Sequence, residues 1–346
     1  MKILIIGPSW VGDSVISQSL IKVILTKSKE AKIDVLSSEW TRNIFERMDE
    51  VSETITLPFS HGEKKIKERV DLGKKLKEKN YDQAIVLPNS FKSSLVPYFG
   101  EIPIRTGWRG EMRYFLINDM RILDKKIFPR MVDRFVALAF KKNENIPSSI
   151  PYPSLKVEEE NLDLLRVNFG IDSILPLICL CPGAEFGPAK RWPTNYYSEV
   201  ANEYLKKNWQ VILLGSENDI PVGKEIKKNI NKEFGFLNLI GKIKLVDTID
   251  ILSSSNLVLT NDSGLMHVAA SVDVPLVALY GPTSPEFTPP LSNKVNVIKK
   301  NKGFTKLRSG DLEGGYYQSL KDIKPKEVLT ALLEFEASKY LQSIKT

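Results

Sequence analysis

Short runs of apolar and β-branched residues, uninterrupted by polar alternation, recur along this chain between longer amphipathic stretches. Lys2–Ile6, Ala84–Leu87, Leu177–Leu180, Leu257–Thr260 and Leu276–Tyr280 are runs of this kind. A strand that is apolar on both faces has to be covered on both faces. Parallel sheets flanked by helices do this, whereas antiparallel sheets usually leave one face to water. The first half reads as strand Lys2–Ile6, helix Asp13–Lys27, strand Ile33–Leu36, helix Thr41–Met48, strand Thr54–Leu57, a charged helix near Lys64–Glu78, strand Ala84–Leu87 and helix Phe91–Phe99. The second half restarts the pattern with strand Leu177–Leu180, helix Thr194–Lys206, strand Gln210–Leu214 and helix Ile220–Asn231. Strand Leu257–Thr260, helix Gly264–Ala270 and strand Leu276–Tyr280 follow, and Pro325 opens a last helix that runs to about Ser343. Proline is tolerated in a first helical turn.

Between the halves, the stretch Asn145–Leu155 holds Pro147, Pro151 and Pro153 and reads as a linker. With 346 residues, the chain is expected to form about two domains. The boundaries read as 1–155 and 156–324, with 325–346 as a helix that packs back on the first domain.

Composition narrows the function classes. Lysine and arginine outnumber aspartate and glutamate 49 to 42, a net charge of +7 spread along the chain. Such an excess leaves nucleic acid, an anionic lipid surface and a phosphorylated sugar as partners. The basic stretch Lys74-Lys75-Leu76-Lys77-Glu78-Lys79 reads as the solvated face of a helix rather than a nucleic-acid patch. Cys179 and Cys181 cannot build a disulfide framework and suit a reducing compartment. His61 and His267 are too few for a histidine-rich metal centre, and no metal site is expected. No apolar run reaches the roughly 18 residues of a membrane span. The N-terminal apolar run is cut short by Gly7, Pro8 and Asp13 with no cleavage signal after it. A cytoplasmic protein is expected.

In open parallel sheets, ligands bind where strands end and helices begin. Three such loops carry unusual residues. Gly7-Pro8-Ser9-Trp10-Val11-Gly12-Asp13 follows the first strand, yet Ser9 stands where a dinucleotide fingerprint needs glycine, and Trp10 would obstruct a pyrophosphate. Asp13 reads either as a helix N-cap or as a general base that takes a proton from a hydroxyl. In Pro182-Gly183-Ala184-Glu185-Phe186-Gly187-Pro188-Ala189-Lys190-Arg191-Trp192-Pro193, adjacent Lys190 and Arg191 suit phosphate oxygens. The alternative is that Arg191 and Trp192 only pack the loop, with Lys190 solvated and Thr194 capping the next helix. In Thr260-Asn261-Asp262-Ser263-Gly264-Leu265-Met266-His267, main-chain N–H groups at Ser263 and Gly264 would form an anion site at a helix N-terminus. His267 reads as structural or as part of that site. Together these loops suggest that the second domain holds a nucleotide diphosphate and the first holds whatever is acted upon.

These loops, with Leu87-Pro88-Asn89-Ser90-Phe91-Lys92-Ser93, the stretch from Arg105 to Tyr114, Tyr280-Gly281-Pro282-Thr283-Ser284-Pro285 and Tyr317-Gln318-Ser319-Leu320, resemble the bacterial lipopolysaccharide heptosyltransferases. The resemblance spans nearly the whole chain. It implies an α/β GT-B fold, two Rossmann-like doubly wound parallel-sheet domains facing each other across a cleft. It further implies an inverting glycosyltransferase that moves heptose from ADP-heptose, with Asp13 as catalytic base and Lys190 neutralising the donor diphosphate. Donor contacts would be Gly183, Lys190, Glu217, Asp262, Ser263, Gly264, Leu265 and His267. Acceptor contacts would be Ser9, Trp10, Gly12, Asn89, Ser90, Lys92, Arg105, Arg109 and Arg113. The acceptor implied is heptosyl-Kdo2-lipid A, with no obligatory cofactor, no nucleic acid, and peripheral contact with the inner membrane left open. Tyr317 departs from the family pattern Gly-Tyr-His-Gln-Ser-Leu, so no proton carrier is assigned there. Rival readings are a sister enzyme acting on another core position, a nicotinamide oxidoreductase, which Ser9 and Trp10 disfavour, and a nucleotide-binding protein without activity.

Overall fold

The computed structural model describes residues 1–58, 63–185, 187–303, 310–312 and 315–343, the side chains of 338–343 excepted. His61 and Phe186 lie outside the described residues. The chain forms two compact units, one of residues 1–156 with 286–288, the other of 157–285 with 289–346.

In the first unit the strands are β1 (Lys2–Ile6), β2 (Lys32–Ser38), β3 (Glu53–Leu57), β4 (Gln83–Val86), β5 (Ile104–Trp108) and β6 (Asp119–Arg121). The helices are α1 (Val11–Lys27), α2 (Glu39–Glu46), α3 (Ile66–Leu76), α4 (Leu95–Phe99) and α5 (Met131–Val136). All strand pairs are parallel, in the order β3-β2-β1-β4-β5-β6. β1 is apolar because it lies mid-sheet, with Ile5 opposite both Val35 and Ile85. Each of its buried isoleucines contributes about 1.5–3 kcal/mol.

The second unit opens with α6 (Glu159–Phe169) and repeats the plan. Its strands are β7 (Leu177–Cys181), β8 (Gln210–Leu213), β9 (Phe236–Asn238), β10 (Leu257–Asn261), β11 (Leu276–Tyr280) and β12 (Val295–Lys299). Its further helices are α7 (Thr194–Lys206), α8 (Ile220–Lys228), α9 (Leu245–Ser254), α10 (Gly264–Ser271), α11 (Gln318–Lys321) and α12 (Pro325–Ser343). The parallel order is β12-β11-β10-β7-β8-β9. Counted from its own first strand, each sheet reads 3-2-1-4-5-6, the doubly wound order that opens a crevice where the winding reverses.

Several expectations are corrected. Trp10, not Asp13, caps α1, without a side-chain hydrogen bond; Asp13 is in the first helical turn. Pro193 precedes α7 at its N-cap, and Thr194 is already helical. The last helix was expected on the first domain, but Val328, Ala331 and Leu332 are buried in the core of the second, with Trp192, Tyr197 and Tyr204. Lys74, Lys75 and Lys77 are exposed, as a solvated helix face would be. Both cysteines are buried free thiols on β7. Among the described residues no helix is long and apolar enough to cross a membrane.

Candidate active site

In the second unit the winding reverses between β7 and β10, and the two loops leaving those strands are tied by one side chain. Asn261, at the end of β10, is fully buried. Its amide donates to Pro182 O at 2.7 Å and Gly183 O at 3.3 Å, and its oxygen accepts from the Trp192 N–H and the Tyr197 hydroxyl, both at 3.1 Å. Both ends of the 182–192 loop are therefore held to β10. Trp192 fixes the far end from below, fully buried, edge-on to Tyr197 at 5.0 Å and donating to Ile323 O at 2.9 Å.

The loop held in this way presents Lys190 to Asp262. The ammonium donates to Asp262 Oδ2 at 2.7 Å, and the Thr283 hydroxyl donates to the same oxygen at 2.5 Å. Asp262 is itself held by its N–H donating to Leu279 O at 3.0 Å. Lys190 is thus not solvated, whereas Arg191 does pack the loop. Its guanidinium meets Asp219 Oδ1 at 3.3 Å and Ala184 O at 3.4 Å. Asp219 lies so close to Gly183 that a Cβ there would sit 2.3 Å from the carboxylate, so this position requires glycine. Asp219 also accepts from the Ser216 N–H and hydroxyl, fixing the short turn that holds the exposed Glu217 at the end of β8.

Ser263 is the N-cap of α10, and Ser263, Gly264 and Leu265 are half-exposed, leaving the helix N-terminus accessible. Such an end favours negative charge through its unpaired N–H groups and dipole. His267, one turn further on, is buried. Burial pushes its imidazole down to about 4, against the pull of Asp262 and with the push of Lys190.

In the first unit the reversal lies between β1 and β4. The Gly7 N–H donates to Leu36 O at 2.8 Å, and a Cβ on Gly7 would press on the Phe45 ring at 3.1 Å. The chain then turns through half-buried Ser9 and exposed Trp10 into Gly12 and Asp13, both half-exposed in the first turn of α1. At the end of β4, Asn89 O accepts from the Glu111 N–H at 3.0 Å, and Ser90 O accepts from the Ser93 hydroxyl at 2.6 Å. Gly110 passes so near Asn89 that a Cβ would meet Asn89 O. Lys92 donates to Glu63 O at 3.1 Å, and burial with Arg69 nearby pushes its ammonium below the usual lysine range.

The three arginines read as acceptor contacts differ sharply. Arg113 is buried, donating to Trp108 O at 2.6 Å and Pro88 O at 2.7 Å and reaching Ser93 and Ser94; burial pushes its guanidinium down to about 10. Arg105 donates to Ile102 O and Leu116 O. Arg109 alone of the three has an exposed side chain. Two contributors escaped the sequence reading, Asn261 as the tie between loops and Thr283 as the second donor to Asp262. The signal for Thr283 was present, since Gly281-Pro282-Thr283 leaves the strand beside β10. Among the described residues no three of His, Cys, Asp and Glu gather as a metal would require.

Doubly wound sheets with loops and a helix N-terminus where the winding reverses suit an anionic ligand, and comparison with known proteins gives the family. The family model for glycosyltransferase family 9 (heptosyltransferase) matches residues 69–316, and the chain belongs to that family. It is 50% identical over 339 residues to lipopolysaccharide heptosyltransferase 2 of Salmonella typhimurium, covering 96% of this chain and 97% of that relative. It is 49% identical to the protein of the same name from Escherichia coli K12, again covering 96% and 97%. Among solved structures, the E. coli ADP-heptose lps heptosyltransferase II superposes with a TM-score of 0.90 at 46% identity, covering 98% of this chain and 100% of that one.

Proposed function

We propose that the protein transfers L-glycero-D-manno-heptose from ADP-heptose to the first heptose of the lipopolysaccharide inner core, with inversion at the anomeric carbon. It works in the cytoplasm against an acceptor presented at the inner membrane. The observation that carries this reading is the 50% identity, over nearly the full length of both chains, to a protein named lipopolysaccharide heptosyltransferase 2.

The chemistry asks for three services. A hydroxyl of the acceptor must lose its proton as it attacks, and Asp13 performs this. It stands in the first turn of α1, directly after the loop that leaves β1. The anomeric carbon passes through an oxocarbenium-like state. The departing ADP then gathers negative charge, and Lys190 with the α10 N–H groups at Ser263 and Gly264 meets that charge as it develops. Gly183, packed on Asp219, and Leu265 offer the donor main-chain contacts, His267 supports the helix end, and Glu217 accepts from the nucleoside sugar. Ser9, Trp10, Gly12, Asn89, Ser90, Lys92 and Arg109 take the acceptor, on loops framed by Arg105 and Arg113. With the positive charge supplied by Lys190 and the helix end, the reaction needs no obligatory cofactor, and turnover is expected to persist in a chelator.

Incubation with ADP-heptose and a one-heptose core acceptor tests the reading. A product heavier by one heptose with inverted linkage supports it. Transfer only to a different core acceptor points to a sister enzyme, and no transfer at all overturns it.

A further inference from the structure

We infer that Trp40 and Phe91 bind the acceptor, their rings joining Trp10 in an aromatic edge on which the apolar faces of the core sugars stack. The inference rests on the proposed function and deepens it, since it names side chains of the first unit that would hold the sugars beside Asp13.

Register is the first observation. β1 lies between β2 and β4, with Ile6 opposite both Leu36 and Val86. Trp10, Trp40 and Phe91 follow that row by four or five residues on the three segments that leave it. All three rings therefore stand at one end of the sheet, the end where open parallel sheets bind ligands. Neighbouring strands lie about 4.8 Å apart, so the three strand ends cover about 10 Å, enough for more than one sugar ring.

Exposure is the second. Trp40 is 55% exposed, Trp10 47% and Phe91 41%. Tryptophan is highly buried on average, and exposed apolar groups gathered at one place mark a binding surface. In α2, Ile44 and Phe45 turn into the core, and Trp40 alone of the large apolar side chains does not.

The main chain at each ring is fixed. The Thr41 hydroxyl comes within 3.5 Å of Pro8 O and 3.0 Å of the Ser38 hydroxyl, tying the first turn of α2 to the loop that carries Trp10. Trp10 O accepts from the Ser14 N–H at 2.9 Å. The Phe91 N–H donates to the Glu111 carboxylate at 2.7 Å. Rings set in place beforehand lose little conformational freedom when a ligand arrives.

Polar groups among the rings decide the occupant. Ser9, Asn89 and Ser90 lie on the same loops, half-buried or exposed, and Asp13 is half-exposed close behind Trp10. A sugar ring carries C–H groups on its faces and hydroxyls round its rim. It can stack on an aromatic ring while hydroxyl and amide side chains bond its rim. A purine would stack too, but the lysine and helix end suited to its diphosphate belong to the second unit.

Calorimetry of the full chain with deacylated one-heptose core oligosaccharide, in the absence of donor, tests this directly. Trp40→Ala is expected to weaken binding about five- to tenfold and Phe91→Ala about threefold or more, through the apolar area each ring no longer covers. Trp40→Phe keeps a ring and should recover most of the affinity. Acceptor KM should rise by the same factors, with kcat and donor KM within about twofold of wild type. Both alanine variants should melt as the wild type does, because the side chains removed are exposed. Saturating oligosaccharide should shift the tryptophan emission of the wild type, and Trp40→Phe should lose part of that shift. Unchanged affinity in Trp40→Ala or in Phe91→Ala, or no binding by the wild type, overturns the inference. So does weakened ADP binding in Trp40→Ala, which would place the ring on the donor. A wild type that binds through its rings but transfers nothing upholds this inference and overturns the proposed function, and transfer with unchanged acceptor KM in both variants does the reverse.

Discussion

Asp262 holds Lys190 and is itself held by Thr283. One carboxylate oxygen accepts the ammonium at 2.7 Å and the hydroxyl at 2.5 Å, so the lysine is positioned by a side chain whose own rotamer is fixed. An ammonium aimed in advance at developing negative charge is worth more than one that must reorganise during the reaction.

Removing the lysine should therefore cost most. Lys190→Ala is expected to lower kcat by about 10²–10³-fold, the usual range for losing one preorganised group at a developing charge. Thr283→Val should lower it about tenfold through a loosened Asp262, and Thr283→Ser should restore most of that. Steady-state kinetics on the three variants checks the order. Equal rates for Thr283→Val and wild type would remove the threonine from the account.

Arg113 and Arg109 should part company. Arg113→Lys leaves the carbonyls of Pro88 and Trp108 short of donors in a buried place, which should cost more than about 2 kcal/mol of stability. Arg109→Ala should leave the melting temperature nearly unchanged and raise the acceptor KM. Calorimetry beside acceptor titration separates the two roles, and a reversed pattern would exchange them.

His267 makes stability depend on pH in a definite direction. Burial pushes its folded value down to about 4, while the unfolded chain binds a proton near the ordinary value of about 6.5. Between these values the unfolded state holds more protons, so stability rises with pH across the window and falls as pH drops through it. The loss approaches about 3 kcal/mol at pH 4. His267→Gln should show a shallower fall in melting temperature between pH 6.5 and 4 than the wild type. Parallel curves for the two proteins would contradict this.

What the sequence made legible follows the physics of burial. β1, α7 and β11 matched their expected bounds because each is a central, doubly covered strand or a helix with one clear apolar face. β5 escaped because Arg105 and Gly107 interrupt it, and β12 because Asn296 and Lys299 break the apolar run of Val295–Lys299. β6 and β9, three residues each at sheet edges, have no pattern to read. The site loops stood out by their chemistry, but the pairing of Lys190 with Asp262 spans 72 positions and is produced by strand order together with the Asn261 tie. Arg113 reads from sequence as an acceptor contact, and only the folded loop shows where its donors go.

The central claim is that Asp13 removes the acceptor proton, and Asp13→Asn tests it most directly. Asparagine keeps the shape and cannot accept the proton as the carboxylate does. Measured side by side, transfer to the one-heptose acceptor should fall by about 10³-fold, while ADP affinity by calorimetry stays within about twofold of wild type. Transfer at the wild-type rate in that variant would contradict the account.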